Sequence, residues 1–301
     1  MRLLLTGAHG FTAHHLGQAA VAAGHEVLSF DADLTDADAV SAAVAKIQPT
    51  HVLHLAAISA VTHGDATEIY AVNVVGTVNL LTAIRDAAGR SNRIERVVLA
   101  SSANVYGNAT CSPIPESCAP SPLNHYACSK LAMEHMAATF ADDLPIVLAR
   151  PFNYTGPGHD DRFVIPKLIA AFAQREDRVE LGNLDVEREF NDVRMVVAAY
   201  FGLLARGVVG ETYNICSGLG YSLRQMVATL ESITGHQMEL ASNPAFVRAN
   251  EVMRLVGDPS KVQSLISDLP ANDLPDLLAW MLRVQHDGGT DQPSINRRSA
   301  M

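Results

Sequence analysis

Short apolar segments alternate with longer helical segments through the first half of the chain. The apolar segments are residues 3–5, 26–30, 51–55, 96–100 and 146–150. Helical patterns occupy the intervals, at residues 11–23, 39–47, 67–88 and around 126–130. Strands that are apolar along almost their whole length occur in parallel sheets that helices cover on both faces. The pattern therefore predicts an α/β fold with a doubly wound parallel sheet.

The pattern loosens after Pro151, where prolines and glycines become frequent. Two helices are still predicted from their ends, because Asp192 can cap one and Ser222 with Gln225 matches a capping box at the start of the other. Residues 212–216 are predicted to form a strand that rejoins the main sheet. We therefore predict two interleaved domains of unequal size. The larger covers residues 1–155 with returning segments near 187–217, and the smaller, C-terminal one covers 156–186 and 218–301.

Composition and charge limit the possible partners. The chain has 301 residues, of which 48% are hydrophobic, and this is enough for a substantial core. Its formal net charge of −10 does not attract nucleic acid or anionic membranes, so we predict neither as a partner. We also predict no metal site, because the histidines do not cluster. His51 and His54, for example, would face opposite sides of a strand.

The N-terminus and the cysteines indicate the compartment. The chain reaches a glycine turn too soon after Met1 for a signal peptide, and no apolar run reaches the roughly 18 residues of a membrane span. No two of the four cysteines, Cys111, Cys118, Cys128 and Cys216, are spaced as CxxC. We therefore expect free thiols in a reducing compartment and a cytoplasmic protein.

A glycine-rich turn, Gly7-Ala8-His9-Gly10-Phe11-Thr12-Ala13, follows the first apolar segment and opens the first helix. Gly7 allows a sharp turn, and Gly10 has no side chain, so a pyrophosphate can approach the backbone. Unpaired N–H groups and the helix dipole favour negative charge at that helix N-terminus. Because the loop follows a strand and opens a helix, it predicts a dinucleotide-binding Rossmann fold.

The end of the second predicted strand carries Asp31, whose carboxylate can accept hydrogen bonds from the adenosine ribose. Asp33 adds negative charge, and Asp36 and Asp38 are interpreted as a solvated turn. No Arg or Lys occurs from residue 3 to 45, so a 2′-phosphate would meet repulsion without a partner. The sequence therefore favours NAD(H), with NADP(H) as the alternative cofactor.

Tyr126 and Lys130 are four residues apart and would share one face of a helix. A tyrosine with an ordinary pKa near 10 needs a stabilised phenolate to exchange protons near neutrality. A lysine ammonium one turn away and the positive ring of an oxidised nicotinamide would provide this. Ser102, after the fourth apolar segment, can donate to a substrate oxygen. Ser102, Tyr126 and Lys130 are therefore predicted to catalyse redox chemistry at a carbon bearing a hydroxyl or a ketone.

With these elements, the chain resembles the extended short-chain dehydrogenase/reductase family, which includes nucleotide-sugar epimerases, dehydratases and reductases. The resemblance covers residues 1 to about 285. Ala13 replaces a usual glycine, and His125 replaces a frequent proline. The motifs that carry it are the glycine loop, His54-Leu55-Ala56-Ala57, Asn73-Val74-Val75-Gly76-Thr77, Ser101-Ser102-Ala103-Asn104-Val105-Tyr106-Gly107, Tyr126-Ala127-Cys128-Ser129-Lys130, Arg150-Pro151-Phe152-Asn153-Tyr154-Thr155-Gly156-Pro157-Gly158 and Arg188-Glu189-Phe190.

The resemblance implies binding roles for further residues. Those that would bind or support the cofactor are Gly7, His9, Gly10, Phe11, Thr12, Asp31, Asp33, Leu34, Leu55, Ala56, Ala57, Asn73, Tyr126, Lys130 and Phe152. Those that would bind a nucleotide-diphosphate sugar in the smaller domain and the cleft are Ser59, Ser102, Asn104, Asn153, Val164, Lys167, Arg188 and Arg248. Helices near 67–88 and 124–141 resemble those of a four-helix dimer interface in this family, which implies a homodimer.

The resemblance also bears on the reaction. Sugar 4,6-dehydratases of this family carry acidic residues directly after the catalytic Ser or Thr, whereas this chain carries Ala103 and Asn104, so we do not expect dehydration. Segments 150–158, 163–167 and 214–218 look most like GDP-4-keto-6-deoxymannose and dTDP-4-keto-6-deoxyglucose reductases. We predict reduction of the C4 ketone of an NDP-4-keto-6-deoxyhexose by NAD(P)H, with Tyr126 as proton donor. The alternatives are an NAD-dependent NDP-sugar 4-epimerase and, more remotely, a non-catalytic dinucleotide-binding sensor.

Overall fold

Strands and helices alternate through the first half of the computed structural model, which describes residues 1–59, 65–88, 93–247 and 251–287. The strands are β1 Arg2–Thr6, β2 Glu26–Phe30, β3 His51–His54, β4 Arg96–Ala100 and β5 Ile146–Pro151. The helices are α1 Phe11–Ala22, α2 Ala37–Ile47, α3 Ala66–Tyr70, α4 Gly76–Ala88 and α5 His125–Ala138, with a π-helical turn at Ala71–Val75 and a 3₁₀ turn at Ala103–Tyr106. The alternation predicted from the apolar segments is confirmed.

Shorter strands separate the helices of the second half. The strands are β6 Tyr154–Thr155, β7 Arg178–Leu181, β8 Glu187–Arg188, β9 Asn191–Asp192, β10 Thr212–Ile215, β11 Tyr221–Ser222, β12 Glu239–Ser242 and β13 Arg254–Leu255. The helices are α6 Val164–Ala173, α7 Val193–Arg206, α8 Leu223–Thr234, α9 Ser260–Leu265 and α10 Leu274–His286, with a 3₁₀ turn at Pro244–Phe246. Asp192 caps α7, and Ser222 with Gln225 forms the capping box of α8, as predicted.

The central sheet has six parallel strands in the order β10-β5-β4-β3-β1-β2. β10 joins the edge beside β5, so the strand predicted at residues 212–216 does rejoin the main sheet. The chain runs from β1 to β2 in one direction and then starts again at β3 on the other side of β1. The strand order therefore reverses between β1 and β3, and a crevice opens there at the carboxyl ends of the strands. The predicted doubly wound fold is confirmed.

Both faces of this sheet are covered, which explains its apolar strands. Along β1, Leu3 and Leu5 point into a core formed with α1, α7 and α9, whereas Leu4 points into a core formed with α2, α4 and α5. All three leucines are buried. Each strand residue therefore gains from burial on one face or the other, as a parallel sheet requires.

A separate hydrophobic core lies among α6, β7, α8 and α10. Its members include Leu168, Val179, Met226 and Leu278. We propose on this basis that the chain has the two predicted interleaved parts, a dinucleotide-binding part and a smaller substrate-binding part. Helix α9 lies within the range predicted for the smaller part, but its Val262 packs in the core of the central sheet. We therefore assign α9 to the larger part.

α3, the π-helical turn and α4 form one continuous helix, Ala66–Ala88. By length and composition this helix could cross a membrane, with a mean hydropathy of 1.3 over its most apolar window. Polar residues such as Glu68, Asn73 and Asn79 interrupt this helix, so it is not the unbroken apolar run whose absence was expected. The apolar side chains Leu80, Leu81 and Ile84 are fully buried against the sheet and α2. Packing against the domain core therefore accounts for much of the apolar character of this helix.

The expectation of four free thiols is also wrong. Cys111 and Cys118 form a disulfide, whereas Cys128 and Cys216 are free. The pair lies in the loop between the 3₁₀ turn and α5, and a backbone hydrogen bond from the Ser121 N–H to the Val105 carbonyl holds the ends of this loop together. The two cysteines meet because the loop folds back on itself, an arrangement that their spacing of seven residues does not reveal.

Candidate active site

A cleft of about 1720 Å³ opens at the carboxyl ends of the central strands and extends to the smaller core. The structure places most of the sequence-predicted residues on its wall. They are Gly7, His9, Gly10, Phe11, Thr12, Asp31, Asp33, Leu34, Leu55, Ala56, Ala57, Ser59, Ser102, Asn104, Tyr126, Lys130, Phe152, Asn153, Val164, Lys167 and Arg188. Asn73 lies behind the wall, and Arg248 lies outside the described residues.

The glycine loop leaves the N-terminus of α1 open to the cleft. Gly7 has φ +69°, and a Cβ atom on it would lie 2.9 Å from the backbone nitrogen of Ala56. Gly10 precedes the first turn of α1 and provides no side-chain cap, so the first N–H groups of the helix have no such partner. Free N–H groups at a helix N-terminus suit an anion, and the missing side chains let it approach. This cradle fits the pyrophosphate of a dinucleotide.

Replacing Gly7 with Ala is expected to weaken both the fold and dinucleotide binding. The left-handed backbone alone costs roughly 1–2 kcal/mol, and the contact with Ala56 adds to this cost. Gly24→Ala is the matched control, because Gly24 has φ +71° but a Cβ atom on it would meet nothing within 4 Å. Chemical denaturation and an NADH fluorescence titration would measure the two effects. If Gly7→Ala behaved like Gly24→Ala in both assays, the role given to the close approach at Ala56 would be wrong.

The end of β2 presents two carboxylates with different surroundings. Asp33 accepts hydrogen bonds from the backbone N–H and the hydroxyl of Thr35, both at 2.8 Å, and these bonds lower its pKa. Asp31 also has an exposed side chain, which lies 3.4 Å from the ring of His9. Asp33 is thus held in a turn, and Asp31 is the carboxylate free to reach a ribose. Asp36, interpreted as part of a solvated turn, instead accepts from the first N–H groups of α2 as its cap.

Ser102 and Tyr126 lie side by side on the wall of the cleft. Ser102 follows β4, and its hydroxyl is near enough to the Tyr126 hydroxyl to lower the pKa of that phenol. Tyr126 lies in the first turn of α5, where the Asn124 side chain accepts from the Ala127 N–H and fixes the start of the helix. His125, in place of a proline, therefore does not displace the helix start.

Lys130 takes a different partner from the one expected. Its ammonium donates to the Ala100 carbonyl oxygen at 2.7 Å, at the end of β4. Within the described part of the chain no hydrogen bond joins it to Tyr126. Burial lowers the pKa of Lys130 to about 8, although the Glu134 carboxylate opposes this shift. The structure thus anchors Lys130 to the sheet edge, with its remaining N–H groups available to a ribose hydroxyl.

The side chain of Tyr126 is half-buried on the wall of the cleft. Burial raises its pKa to about 12, the hydrogen bond from Ser102 lowers it, and the neighbouring Tyr154 raises it. A phenol in this environment is protonated near neutral pH. It can therefore give a proton to an oxygen that becomes an alkoxide, which is the role of a general acid.

A buried polar network behind the catalytic helix was not predicted from the sequence. Glu134 accepts from Arg150 at 2.8 and 2.5 Å and from the hydroxyl of Ser101 at 2.5 Å. Arg150 also donates to the Tyr106 hydroxyl, which donates to Asn214. The one available sequence signal was the position of Glu134 one helical turn after Lys130. This network joins β5, α5, β10 and the segment after β4 directly beneath the site.

Asn73, from the π-helical turn, supports the wall of the cleft. Its side-chain Oδ1 accepts a hydrogen bond from the Ile58 N–H at 2.8 Å. Its side-chain Nδ2 donates to the Ile58 carbonyl oxygen and to the Ser129 hydroxyl. Ile58 itself lines the cleft. The extra residue of a π-helical turn is a frequent feature of functional sites. Here it turns Asn73 inward, so that one amide links the loop after β3 to the catalytic helix.

The far end of the cleft carries the residues predicted to bind substrate. Lys167 donates to the Glu180 carbonyl at 3.0 Å and lies over the ring of Phe246 at 5.0 Å. Arg188 donates to the backbone carbonyls of Glu187 and Val252. Both cations therefore already have protein partners, and these contacts set their position. Among the described residues, no group of three His, Cys, Asp or Glu side chains could hold a metal ion.

Known proteins match this chain over most of its length. A family model described as GDP-mannose 4,6 dehydratase matches residues 12–279. The chain is 34% identical to GDP-6-deoxy-D-talose 4-dehydrogenase from Aggregatibacter actinomycetemcomitans, covering 89% of this chain and 92% of the relative. It is 34% identical to GDP-6-deoxy-D-mannose reductase from Pseudomonas aeruginosa, covering 87% and 89%.

A solved structure supports the same relationship. RMD from Pseudomonas aeruginosa complexed with NADPH is 30% identical, with a TM-score of 0.86 over 96% of this chain and 100% of that chain. The likeness covers both the central sheet and the smaller core, so it is not limited to the dinucleotide-binding half. The chain therefore belongs to the GDP-mannose 4,6 dehydratase family, within the extended short-chain dehydrogenases/reductases.

Proposed function

We propose that the protein reduces the C4 ketone of a nucleotide-linked 4-keto-6-deoxyhexose, with NAD(P)H as reductant. The placement of Ser102 beside Tyr126 on the wall of the cleft carries this proposal, because it brings a hydrogen-bond donor and a proton donor together. The similarity to GDP-6-deoxy-D-mannose reductase and GDP-6-deoxy-D-talose 4-dehydrogenase supports a GDP-linked sugar as the first substrate to test.

Three residues of the chain have distinct roles in this reaction. When bound, the reduced nicotinamide supplies a hydride. Tyr126 gives its proton to the C4 oxygen as negative charge develops there. Ser102 donates a hydrogen bond to the same oxygen and stabilises that charge. Lys130, held by the Ala100 carbonyl, orients the nicotinamide ribose with its remaining N–H groups.

Dehydration is not part of the proposal, although the matching family model is described as GDP-mannose 4,6 dehydratase. Loss of water from the sugar needs an acid and a base next to the catalytic hydroxyl group. Ala103 is buried and Asn104 has a neutral amide, so neither can exchange a proton. The residues after Ser102 therefore fit hydride and proton transfer at C4 alone.

A turnover assay tests the proposal. The purified protein is mixed with NADH or NADPH and each of the GDP-, dTDP- and UDP-linked 4-keto-6-deoxy sugars, and absorbance of the reduced nicotinamide is followed. We expect consumption with at least one sugar, the GDP sugar first. No consumption together with interconversion of UDP-glucose and UDP-galactose would establish the 4-epimerase instead. No turnover of either kind, with dinucleotide still bound, would leave the sensor function.

Asp31 is expected to set the preference for NADH over NADPH. Its carboxylate would bond the ribose hydroxyls and repel a 2′-phosphate. We expect Asp31→Ala to lower the ratio of kcat/KM for NADH to that for NADPH by about tenfold or more, the equivalent of roughly one charged hydrogen bond. Asp38→Ala is the control, because it removes the same charge outside the cleft. Equal ratios in all three proteins would contradict this role.

We also propose a cytoplasmic homodimer. Val75 and Met136 are exposed apolar side chains on the two helices that resemble the family's dimer helices. Light scattering after gel filtration would give the mass. A monomer at assay concentrations would reject the homodimer without affecting the proposed reaction.

A further inference from the structure

Two hydrogen bonds from Asn104 converge on the hydroxyl of Ser102. The backbone N–H of Asn104 donates to Ser102 Oγ at 3.2 Å, and its side-chain amide donates to the same atom at 3.0 Å. Ser102 is the cap of the 3₁₀ turn that contains Asn104, so the short turn enforces both contacts. A serine hydroxyl has one hydrogen to donate and two lone pairs that accept. Asn104 therefore fills both acceptor positions of Ser102.

The single hydrogen of Ser102 is then left to point into the cleft, toward the neighbouring Tyr126 hydroxyl and a bound substrate. We propose that Asn104 is a positioning residue that commits Ser102 to act as a donor toward Tyr126 and toward the substrate oxygen. The inference rests on the proposed ketone reduction and adds to it a residue that acts through Ser102. A donor is what both stages need, because negative charge develops on the C4 oxygen as hydride arrives and lies on the Tyr126 phenolate after proton transfer.

The absence of charge on the Asn104 side chain is as important as its geometry. Tyr126 already faces Tyr154 and Tyr200, and Lys130 lies one turn along its own helix with Glu134 behind it. A carboxylate at position 104 would accept the hydrogen of Ser102 and turn it away from Tyr126. It would also add negative charge beside the developing alkoxide and disfavour the Tyr126 phenolate. An amide avoids both effects while keeping the same shape.

The test is the pH profile of the reverse reaction, oxidation of the 4-hydroxy sugar nucleotide by NAD⁺ or NADP⁺, in which Tyr126 must lose its proton. We expect Asn104→Asp to lower kcat by about tenfold or more and to move the rising limb of log kcat to higher pH by about one unit, each worth roughly 1.4 kcal/mol. Asn104→Ala should give a smaller loss in the same direction. KM for the dinucleotide should change in neither variant.

A double-mutant cycle with Ser102→Ala is the control. If Asn104 acts through Ser102, Asn104→Ala, which adds no charge of its own, should cause little further loss of kcat in a Ser102→Ala background. A full additional loss, or an unchanged pH profile in the single variants, would overturn the inference.

Thermal melting and NADH binding identify any variant that does not fold, and Asn104→Ala then takes the place of Asn104→Asp. Wild-type turnover is measured first, so failure of the proposed reaction is recognised separately. If the wild type proves to be an epimerase, the same cycle applies to that reaction.

Discussion

Replacing Tyr126 with Phe is expected to lower kcat/KM for ketone reduction by about 10²–10⁴-fold, the usual contribution of a positioned general acid. The change removes one hydroxyl group from a side chain that lines the cleft beside Ser102. Because the ring remains, the cleft keeps its shape and NADH should still bind. Initial rates from the absorbance of reduced nicotinamide, with NADH binding measured separately, would check both parts.

Tyr221→Phe is the matched control for this prediction. Tyr221 lies in β11, is only half-buried and does not line the cleft. The same loss of a phenol hydroxyl there should leave the rate unchanged. Turnover by Tyr126→Phe close to the wild-type rate would remove Tyr126 from the proposed mechanism and direct attention to Tyr154 and Tyr200, the other tyrosines on the wall of the cleft.

Replacing Glu134 with Ala is expected to destabilise the protein by about 3–5 kcal/mol, because it leaves an unpaired charge in the interior. The side chains of Arg150 and Glu134 are 8% and 6% exposed, so water cannot take the place of the lost partner. Burial opposes the charge on Arg150, but the hydrogen bonds and charge of Glu134 raise its pKa above the ordinary value. Chemical denaturation, with ΔG extrapolated to water, would measure the loss.

Removing both charges should restore most of this stability. We expect the double variant Glu134→Leu, Arg150→Met to be closer to the wild type than Glu134→Ala, because well-packed apolar side chains often replace a buried ion pair at little cost. Tyr106 keeps its hydrogen bond to Asn214 in that variant. A double variant as unstable as Glu134→Ala would mean that the network itself, and not the unpaired charge, determines the stability.

The pattern of apolar segments determined most of the fold. The five strands of the first half were predicted from runs of three to five residues, because strands buried on both faces cannot alternate with polar residues. Capping residues predicted α7 and α8, because a cap acts within its own first turn. The helix at residues 66–88 was also predicted, but not its π-helical turn, which depends on the partners of Asn73.

The candidate site was predicted less evenly. The glycine loop and the spacing of Tyr126 and Lys130 pointed to the cleft because they act through local geometry, a left-handed turn and one helical repeat. The partner of Lys130 was not predicted, since the Ala100 carbonyl is 30 residues away along the chain. The same limit applied to the Cys111–Cys118 disulfide, which depends on the path of a loop.

The sequence by itself therefore determined the doubly wound sheet, the dinucleotide loop and the family of this protein. Only the tertiary structure decided that Glu134 neutralises Arg150 beneath the site and that Asn104 turns both of its donors onto Ser102. The physical reason is the distance along the chain over which each kind of interaction acts. Periodicity, capping and turn preference act over a few residues, whereas a buried hydrogen bond forms only where packing brings distant segments together or fixes the orientation of a short turn.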